Sequence, residues 1–317
     1  MDKLLSAWRA RRVLIVGEAD ALTPWIQSFL GELGARPTRI APTCSAQTLC
    51  QAMSDGRVSA IIVPAAHRLE AGDLESQLRA LSTLLGEARE AGVPLTILCS
   101  DENVYRAAQG VWYAREEDPI GGYTREGMIQ SILQLYADGI SRGLLGDAVT
   151  TLIVRHMPCL GSDNARTRQY SQWCRELLNG DILHVEHPAM QGIFLHPLDV
   201  ASSVLMLGAR FFSGEEMREN IFNIGAGPQN LCANRSAALR FIGRNGGTRP
   251  IAQSEPPLAA APALLDGSRT RLLCGARCLI PGDEALARLL ELMRAAQSGE
   301  QDQVIAAQTR AYLERMR

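Results

Sequence analysis

The feature that most constrains this chain is the regular alternation of short apolar runs with amphipathic stretches over residues 12–155. Most of the runs are rich in β-branched and aliphatic residues, which is typical of strands buried on both faces of a parallel sheet. Strands that alternate with helices of ten or so residues indicate the α/β class, with a doubly wound, Rossmann-like parallel sheet. The predicted strands are 12–17, 38–41, 58–63, 94–99 and 150–155.

The alternation loosens after residue 161, which predicts a smaller C-terminal lobe. Residues 246–261 are rich in Pro and Gly and are predicted to be loop. The last segment is predicted to be a polar tail helix, and we expect its removal to leave the core folded. The predicted units are a Rossmann-like core at 12–160 to which 192–226 return, a substrate-region lobe at 161–191 and 227–296, and the tail at 297–317.

Charge and cysteine content exclude several classes of function. The net charge is −2, so the field of the protein is too weak to recruit nucleic acid or an anionic membrane. No apolar run is long enough to span a membrane, and residues 1–12 are too charged for a signal peptide. The eight cysteines form no Cys-x-x-Cys pair, which favours buried reduced thiols and a cytoplasmic location. The spacing of His184, His187 and His196 does not indicate a metal site.

Several separate stretches, in a fixed order, resemble the extended short-chain dehydrogenase/reductase family of NAD-dependent sugar-nucleotide epimerases and dehydratases. Arg12 to Gly17 looks like the first strand and its glycine turn, and residues 60–66 look like the strand that ends in two alanines. The resemblance covers about residues 12–296. Its other parts are Ser100 to Tyr105, Glu117-Asp118-Pro119 with Tyr123, Arg155 with Gly161, Phe194-Leu195-His196 with Asp199-Val200-Ala201, and Phe222 to Gly225.

The resemblance implies a site at the carboxyl ends of the strands, with NAD or NADP as cofactor and a nucleotide or sugar nucleotide as ligand. It also implies a homodimer formed through helices 74–91 and 123–141. The implied site residues are Tyr123, Ser100 and Asp101 for catalysis; Gly17, Asp20, Thr23, Ala65 and Ala66 for the cofactor; and Arg155, His196 and Asp199 for the substrate region.

The glycine turn departs from the family pattern of three glycines, because only Gly17 is kept and the other two positions fall on Asp20 and Thr23. Glycine there lets the backbone approach the pyrophosphate at the helix N-terminus. A carboxylate about 5 Å from a phosphate costs about 3 kcal/mol at an effective dielectric near 20, or about a hundredfold in affinity. Alternatively, Asp20 caps the helix. Either role predicts weak or absent dinucleotide binding.

The acid that binds the ribose of NAD is also missing, since no Asp or Glu occurs between Leu33 and Ser54. Arg36 and Arg39 lie in this region. An arginine there would favour the 2′-phosphate of NADP, and the alternative is that both are solvated surface residues.

The catalytic pair departs as well, because the lysine that the family places four residues after Tyr123 is Gly127. Lys3 is the only lysine of the chain, and it precedes the first strand. Without a nearby cation, a tyrosine keeps a pKa near about 10 and is a poor base at neutral pH. An arginine from elsewhere in the chain remains an alternative cation.

Two other positions depart from the family. The usual catalytic hydroxyl falls on Asp101, one residue after Ser100, and Asp101-Glu102 reads either as the acid pair of dehydratases or as a solvated loop. The arginine that grips the nucleotide diphosphate falls on Gly192. Three functions stay open: a working epimerase or dehydratase, a relative with impaired catalysis that still binds a ligand, and a scaffold without a ligand.

Overall fold

The computed structural model describes most of the chain, and the statements below concern those residues only. They are 2–17, 20–41, 46–54, 57–69, 73–105, 113–122, 124–143, 150–162, 166–215, 217–246, 251–255 and 264–317.

In chain order the strands are β1 Arg12–Val16, β2 Arg36–Ile40, β3 Ala60–Val63, β4 Leu95–Asp101, β5 Tyr113–Ala114, β6 Thr150–His156, β7 Leu183–Glu186, β8 Gln191–Ile193, β9 Ile221–Ile224, β10 Leu231–Ala233, β11 Ile251–Ser254 and β12 Leu264–Leu265. The five strands that the alternating pattern predicts are present, each end within two residues, as β1, β2, β3, β4 and β6.

Helices flank the central sheet, and they also make up much of the chain after residue 166. They are α1 Asp2–Leu5, α2 Thr23–Glu32, α3 Ala46–Ser54, α4 Leu74–Glu90, α5 Arg125–Gly143, α6 Arg168–Asn179, α7 Pro197–Phe212, α8 Asn234–Arg244, α9 Ser268–Cys274, α10 Gly282–Ser298 and α11 Gln301–Met316.

Six parallel strands form the central sheet in the order β2-β1-β3-β4-β6-β9, which confirms the predicted doubly wound α/β fold. The strand order reverses between β1 and β3. In open α/β sheets the ligand crevice lies beyond the carboxyl ends of the strands at such a reversal. The turn after β1 and the turn after β3 are therefore the natural walls of a site.

Side-chain alternation along the strands explains why helices cover both faces of the sheet. Val13 and Ile15 of β1 belong to one buried apolar cluster, whereas Leu14 and Val16 belong to another. Because successive side chains of a strand point to opposite faces, an unbroken apolar run supplies both cores.

Outside the central sheet, residues after 180 form two small sheets, one of which corrects an expectation. β11 pairs in parallel with β7, and β10 pairs antiparallel with β8. Residues 251–254 are therefore a strand inside the segment 246–261 that was predicted to be loop. Its four residues are too few to produce a periodic pattern next to so many Pro and Gly residues.

The C-terminal helix α11 is docked, contrary to the expectation of a dispensable polar tail. One face of α11 is buried, with Ile305, Thr309, Tyr312 and Met316 at most 5% exposed. The Thr309 Oγ1 accepts a hydrogen bond of 3.0 Å from Ser28 of α2. Because α11 covers α2 and α7, we now expect its removal to destabilise the core.

Candidate functional site

The N-terminus of α2 faces the crevice at the strand reversal, and Asp20 caps it. Its Oδ1 accepts hydrogen bonds from the backbone N–H groups of Leu22, at 2.8 Å, and Thr23, at 2.6 Å. The next residue is Pro24, which has no N–H. The amide donors that make a helix N-terminus an anion site are thus largely used by a side chain of the chain itself.

Gly17, directly after β1, lies beside Pro64 and Thr23. A Cβ atom on Gly17 would lie 3.4 Å from Cδ of Pro64 and 3.8 Å from Oγ1 of Thr23. The Thr23 side chain is fully buried, and its Oγ1 has no hydrogen-bond partner among the described residues. The group that the fold family would place here is a dinucleotide pyrophosphate, and it does not fit while the Asp20 carboxylate holds the amides of Leu22 and Thr23.

The two alanines after β3 have different positions. Ala65 is partly exposed and begins a single 3₁₀ turn, 66–68. Ala66 is buried and lines, with Ser100 and Gln130, a cavity with room for about one water molecule. Arg36 and Arg39 are exposed on the edge strand β2, so the alternative between an NADP contact and a surface role stays open.

The start of α5 leaves no room for a catalytic lysine. Tyr123 lies outside the described residues. A Cβ atom on Gly127 would meet the carbonyl oxygen of Asn103 at 2.1 Å, and one on Gly122 would meet the Gly127 carbonyl carbon at 2.3 Å. Gly122 also has a φ of +56°. Backbone therefore packs on backbone at the position where the family has its cation.

Ser100 is held inside a buried network. It donates to Oε1 of Gln130 at 3.0 Å and accepts from Nε2 of Gln134 at 2.5 Å. The Oε1 of Gln134 accepts in turn from Nε of Arg155 at 2.8 Å. Ser100 is 4% exposed and Arg155 is 2% exposed, so both reach neighbouring side chains and not an open crevice.

The structure does contain a tyrosine beside an arginine, although the tyrosine is not Tyr123. Nη1 of Arg155 donates to the hydroxyl of Tyr105 at 2.7 Å, and that hydroxyl donates to Oδ1 of Asn223 at 2.8 Å. Tyr105 and Asn223 are fully buried. These contacts therefore tie the segment after β4 to β6 and β9 in the core.

Glu102, the second residue of the Asp101-Glu102 stretch, is not solvated as the loop alternative expects. It is fully buried, and neither carboxylate oxygen has a hydrogen-bond partner among the described residues. Nη1 of Arg166 lies 3.6 Å from Oε1. Burial, together with the charge of Asp101, raises the pKa of Glu102 to about 8. Asp101 itself is partly exposed, and its Oδ1 accepts from the N–H of Asn103 at 2.9 Å.

A partial signal for Glu102 is present in the sequence, because this residue follows Asp101 at the end of a predicted strand. Its partner Arg166 is distant in the chain, and no sequence spacing relates the two. A buried acid with a raised pKa beside a cation is a candidate functional group.

His196 and Asp199 lie at the start of α7, and both side chains are buried. The Nδ1 of His196 accepts from the N–H of Leu198 at 3.1 Å, and burial lowers the pKa of His196 to about 3. Asp199 is fully buried and accepts from the N–H of Leu279 at 2.7 Å and the hydroxyl of Tyr312 at 2.9 Å. The geometry supports structural roles for both residues.

Gly192 stands where the family has its diphosphate-gripping arginine, and its surroundings are filled. A Cβ atom there would lie 2.2 Å from Oδ1 of Asn234 and 2.3 Å from the hydroxyl of Tyr170. Those two atoms are hydrogen-bonded to each other at 3.0 Å. No side chain fits at residue 192 without moving this pair.

Searches for two other kinds of site found nothing in the described part of the chain. No cluster of three or more His, Cys, Asp or Glu side chains there could hold a metal ion. None of the helices there is both long enough and apolar enough to cross a membrane.

Comparisons with known proteins identify the fold. No protein-family model matches the sequence, and no curated protein matches it. A UDP-glucose 4-epimerase from Stenotrophomonas maltophila, solved with NAD and formylated UDP-arabinopyranose, superposes with a TM-score of 0.75 at 16% identity, covering 91% of this chain and 99% of that one.

Two further solved structures are similar. The dTDP-glucose 4,6-dehydratase DesIV from Streptomyces venezuelae, solved with NAD and TYD, gives a TM-score of 0.72 at 17% identity and covers 91% of this chain and 98% of its own. The epimerase Mth375 from Methanothermobacter thermautotrophicus gives 0.74 at 14%, covering 93% and 96%. The sequence resemblance is thus confirmed at the level of the fold.

Proposed function

We propose that this chain binds a sugar nucleotide on an epimerase/dehydratase fold and that its nicotinamide-dependent catalysis is impaired or altered. The observation that carries the proposal is the contact at Gly127. A side chain there would collide with the Asn103 carbonyl oxygen, so no cation can stand at that position on α5. Arg155, which donates to a tyrosine hydroxyl, is engaged with the buried Tyr105.

Weak or absent binding of NAD and NADP is part of the same proposal. Oδ1 of Asp20 accepts hydrogen bonds from the N–H groups of Leu22 and Thr23, and a bound pyrophosphate would need the same donors. A phosphate group at that position would displace the carboxylate or lie against its charge. The fold of the solved relatives supports a nucleotide as the ligand class, since those proteins were solved with NAD and nucleotide sugars.

Two measurements test this function. The first is the thermal shift of the purified protein with UDP-glucose and with dTDP-glucose, where we expect a rise in melting temperature. The second is product analysis after incubation of either sugar nucleotide with NAD, where we expect no conversion. Conversion at a rate typical of enzymes would overturn impaired catalysis, and the absence of any shift would overturn sugar-nucleotide binding.

A non-catalytic scaffold or small-ligand-binding protein is the second candidate function, and the outer face of α5 favours it. Met128, Ile132 and Leu135 are exposed at positions four and three residues apart, which places them on one side of the helix. We propose that this apolar face forms a homodimer. Sedimentation of the protein beside Ile132→Glu tests it: the wild type should be dimeric and the variant monomeric, and a monomeric wild type would contradict the dimer.

The buried thiols bear on the compartment. Cys99, Cys159, Cys174 and Cys274 are buried and unpaired among the described residues. Free thiols of this kind persist in reducing compartments, so we propose a cytoplasmic location.

A further inference from the structure

The N-terminus of α2 has the properties of an anion site, and Asp20 occupies it from within. α2 is ten residues long and is the helix that follows β1, beside the strand reversal. Helix N-termini attract anions through their amide donors and their dipole. The carboxylate of Asp20 meets both requirements, because it accepts two amide hydrogen bonds within 2.8 Å.

A second observation points to the same place. The hydroxyl of Thr23 is fully buried and has no hydrogen-bond partner among the described residues. It faces the Gly17 turn, at 3.8 Å from where a Cβ on Gly17 would stand. Buried hydroxyl groups are nearly always hydrogen-bonded. A donor left without an acceptor at an anion-binding helix end is the kind of group that an oxyanion of a ligand would satisfy.

Asp73 at α4 provides a comparison. It also caps a helix, accepting from the N–H of Ser76 at 3.0 Å, but it is exposed. Asp20, in contrast, is only partly exposed. Its charge contributes to raising the pKa values of the buried thiols Cys99 and Cys159, after burial itself. Asp20 is therefore placed at the crevice and not on the outer surface.

We propose that Asp20 is an internal anion that fills a latent diphosphate site formed by the amides of Leu22 and Thr23 and the Thr23 hydroxyl. The inference rests on the proposed weak dinucleotide binding and names the Asp20 carboxylate as its cause. The site takes a diphosphate group, free or carried by a nucleotide, once the carboxylate is removed.

Inorganic pyrophosphate is the probe, and calorimetric titration is the measurement. Asp20→Gly removes the carboxylate, and glycine is well tolerated at the start of a helix. We expect the wild type to bind pyrophosphate weakly or not at all and Asp20→Gly to bind about tenfold tighter or better. Asp20→Asn keeps the cap without the charge, so a smaller gain is expected from it.

Asp73→Gly is the matched control, since it opens the N-terminus of α4 in the same way, and it should gain no affinity. Equal gains in Asp73→Gly and Asp20→Gly would overturn the proposal, because any opened helix end would then suffice. No gain in either Asp20 variant would also overturn it; Asp20→Asn decides if Asp20→Gly fails to fold. Tight binding of NAD by the wild type would instead break the proposed function on which the inference rests.

Discussion

Two helix N-termini, those of α2 and α7, are both closed by the chain itself, but in different ways. At α2 the capping Asp20 is partly exposed and its Oδ1 is fully used by two amides. At α7 the His196 side chain caps the helix, and the carboxyl of Asp199 in the first turn is fully buried under α11, where its Oδ2 has no hydrogen-bond partner among the described residues. Burial raises the pKa of Asp199 to about 7.

The difference separates a helix end that packing buries from one that solvent reaches. Removing a solvated cap costs little, so the identity of residue 20 is free to control access to the crevice. Removing the cover of a buried carboxyl exposes a packed interface, so the α7 end contributes to stability. We expect changes at the buried α7 end to alter stability more than changes at the α2 end.

Deletion of residues 300–317 should have the largest effect. It exposes the surface under Ile305, Tyr312 and Met316, which are at most 5% exposed. Burial of such side chains contributes about 1.5–3 kcal/mol each, so we expect the melting temperature to fall by about 10 °C or more. Arg310→Ala is the control, since it removes only the exposed ion pair with Glu32 and should cost less than about 1 kcal/mol. An unchanged melting temperature in the deletion would refute the docked tail.

Asp199→Asn should stabilise the protein in a way that grows with pH. The folded-state pKa of Asp199 is raised from 3.8 to about 7, so the folded state holds a proton that the unfolded state releases, and wild-type stability falls as pH rises through that window. An amide carries no such cost. Relative to the wild type, the variant should gain up to about 4 kcal/mol between pH values below 4 and above 7.

Urea unfolding of both proteins at the two ends of that window measures the difference. Asp73→Asn, which changes an exposed carboxylate, should show little change of stability over the same range. A pH-independent difference for Asp199→Asn would mean that Asp199 is ionised throughout.

Gly127→Ala adds a third closed position to the comparison. Its Cβ would stand 2.1 Å from the Asn103 carbonyl oxygen, so the helix or the turn must shift, at about 2–3 kcal/mol. Gly139→Ala on the same helix meets nothing within 4 Å and should stabilise by about 0.5–1 kcal/mol. Denaturant midpoints compare the two, and a Gly127→Ala variant as stable as Gly139→Ala would show that α5 leaves room for a side chain.

Asp20→Asn should have the smallest effect on stability, within about 0.5 kcal/mol, because Asn caps helices as well as Asp does. Thermal unfolding at neutral pH measures it. A loss as large as that of the tail deletion would mean that Asp20 is a structural residue like Asp199, and the contrast between the two helix ends would collapse.

The fold could be predicted from the sequence because alternating apolar runs such as Arg12–Val16 and Leu95–Asp101 carry a local signal. The cap at Asp20 was one of two alternatives, since an Asp just before a helix suits both. The departures at Gly127 and Gly192 were visible, but the atoms that fill their space belong to Asn103, Tyr170 and Asn234, which only the tertiary fold brings there.

Two features were missed for different reasons. Glu102 directly follows β4 and Arg166 lies shortly before α6, and no sequence spacing indicates that the two side chains pair. The buried face of α11 did have a signal, because Ile305, Thr309, Tyr312 and Met316 recur at helical spacing. The polar residues between them hid this face, since a helix that packs on one side needs only a narrow apolar stripe.

The central claim is that the fold is kept while its nicotinamide site is closed. Thermal shift of the wild-type protein with NAD and NADP, titrated to about millimolar concentration, tests it most directly, because a ligand at 100 times its Kd adds about 2.7 kcal/mol of stability. We predict a melting temperature that does not move with either dinucleotide. A saturable rise of several degrees with either one would contradict the claim and show that Asp20 yields its place to the cofactor.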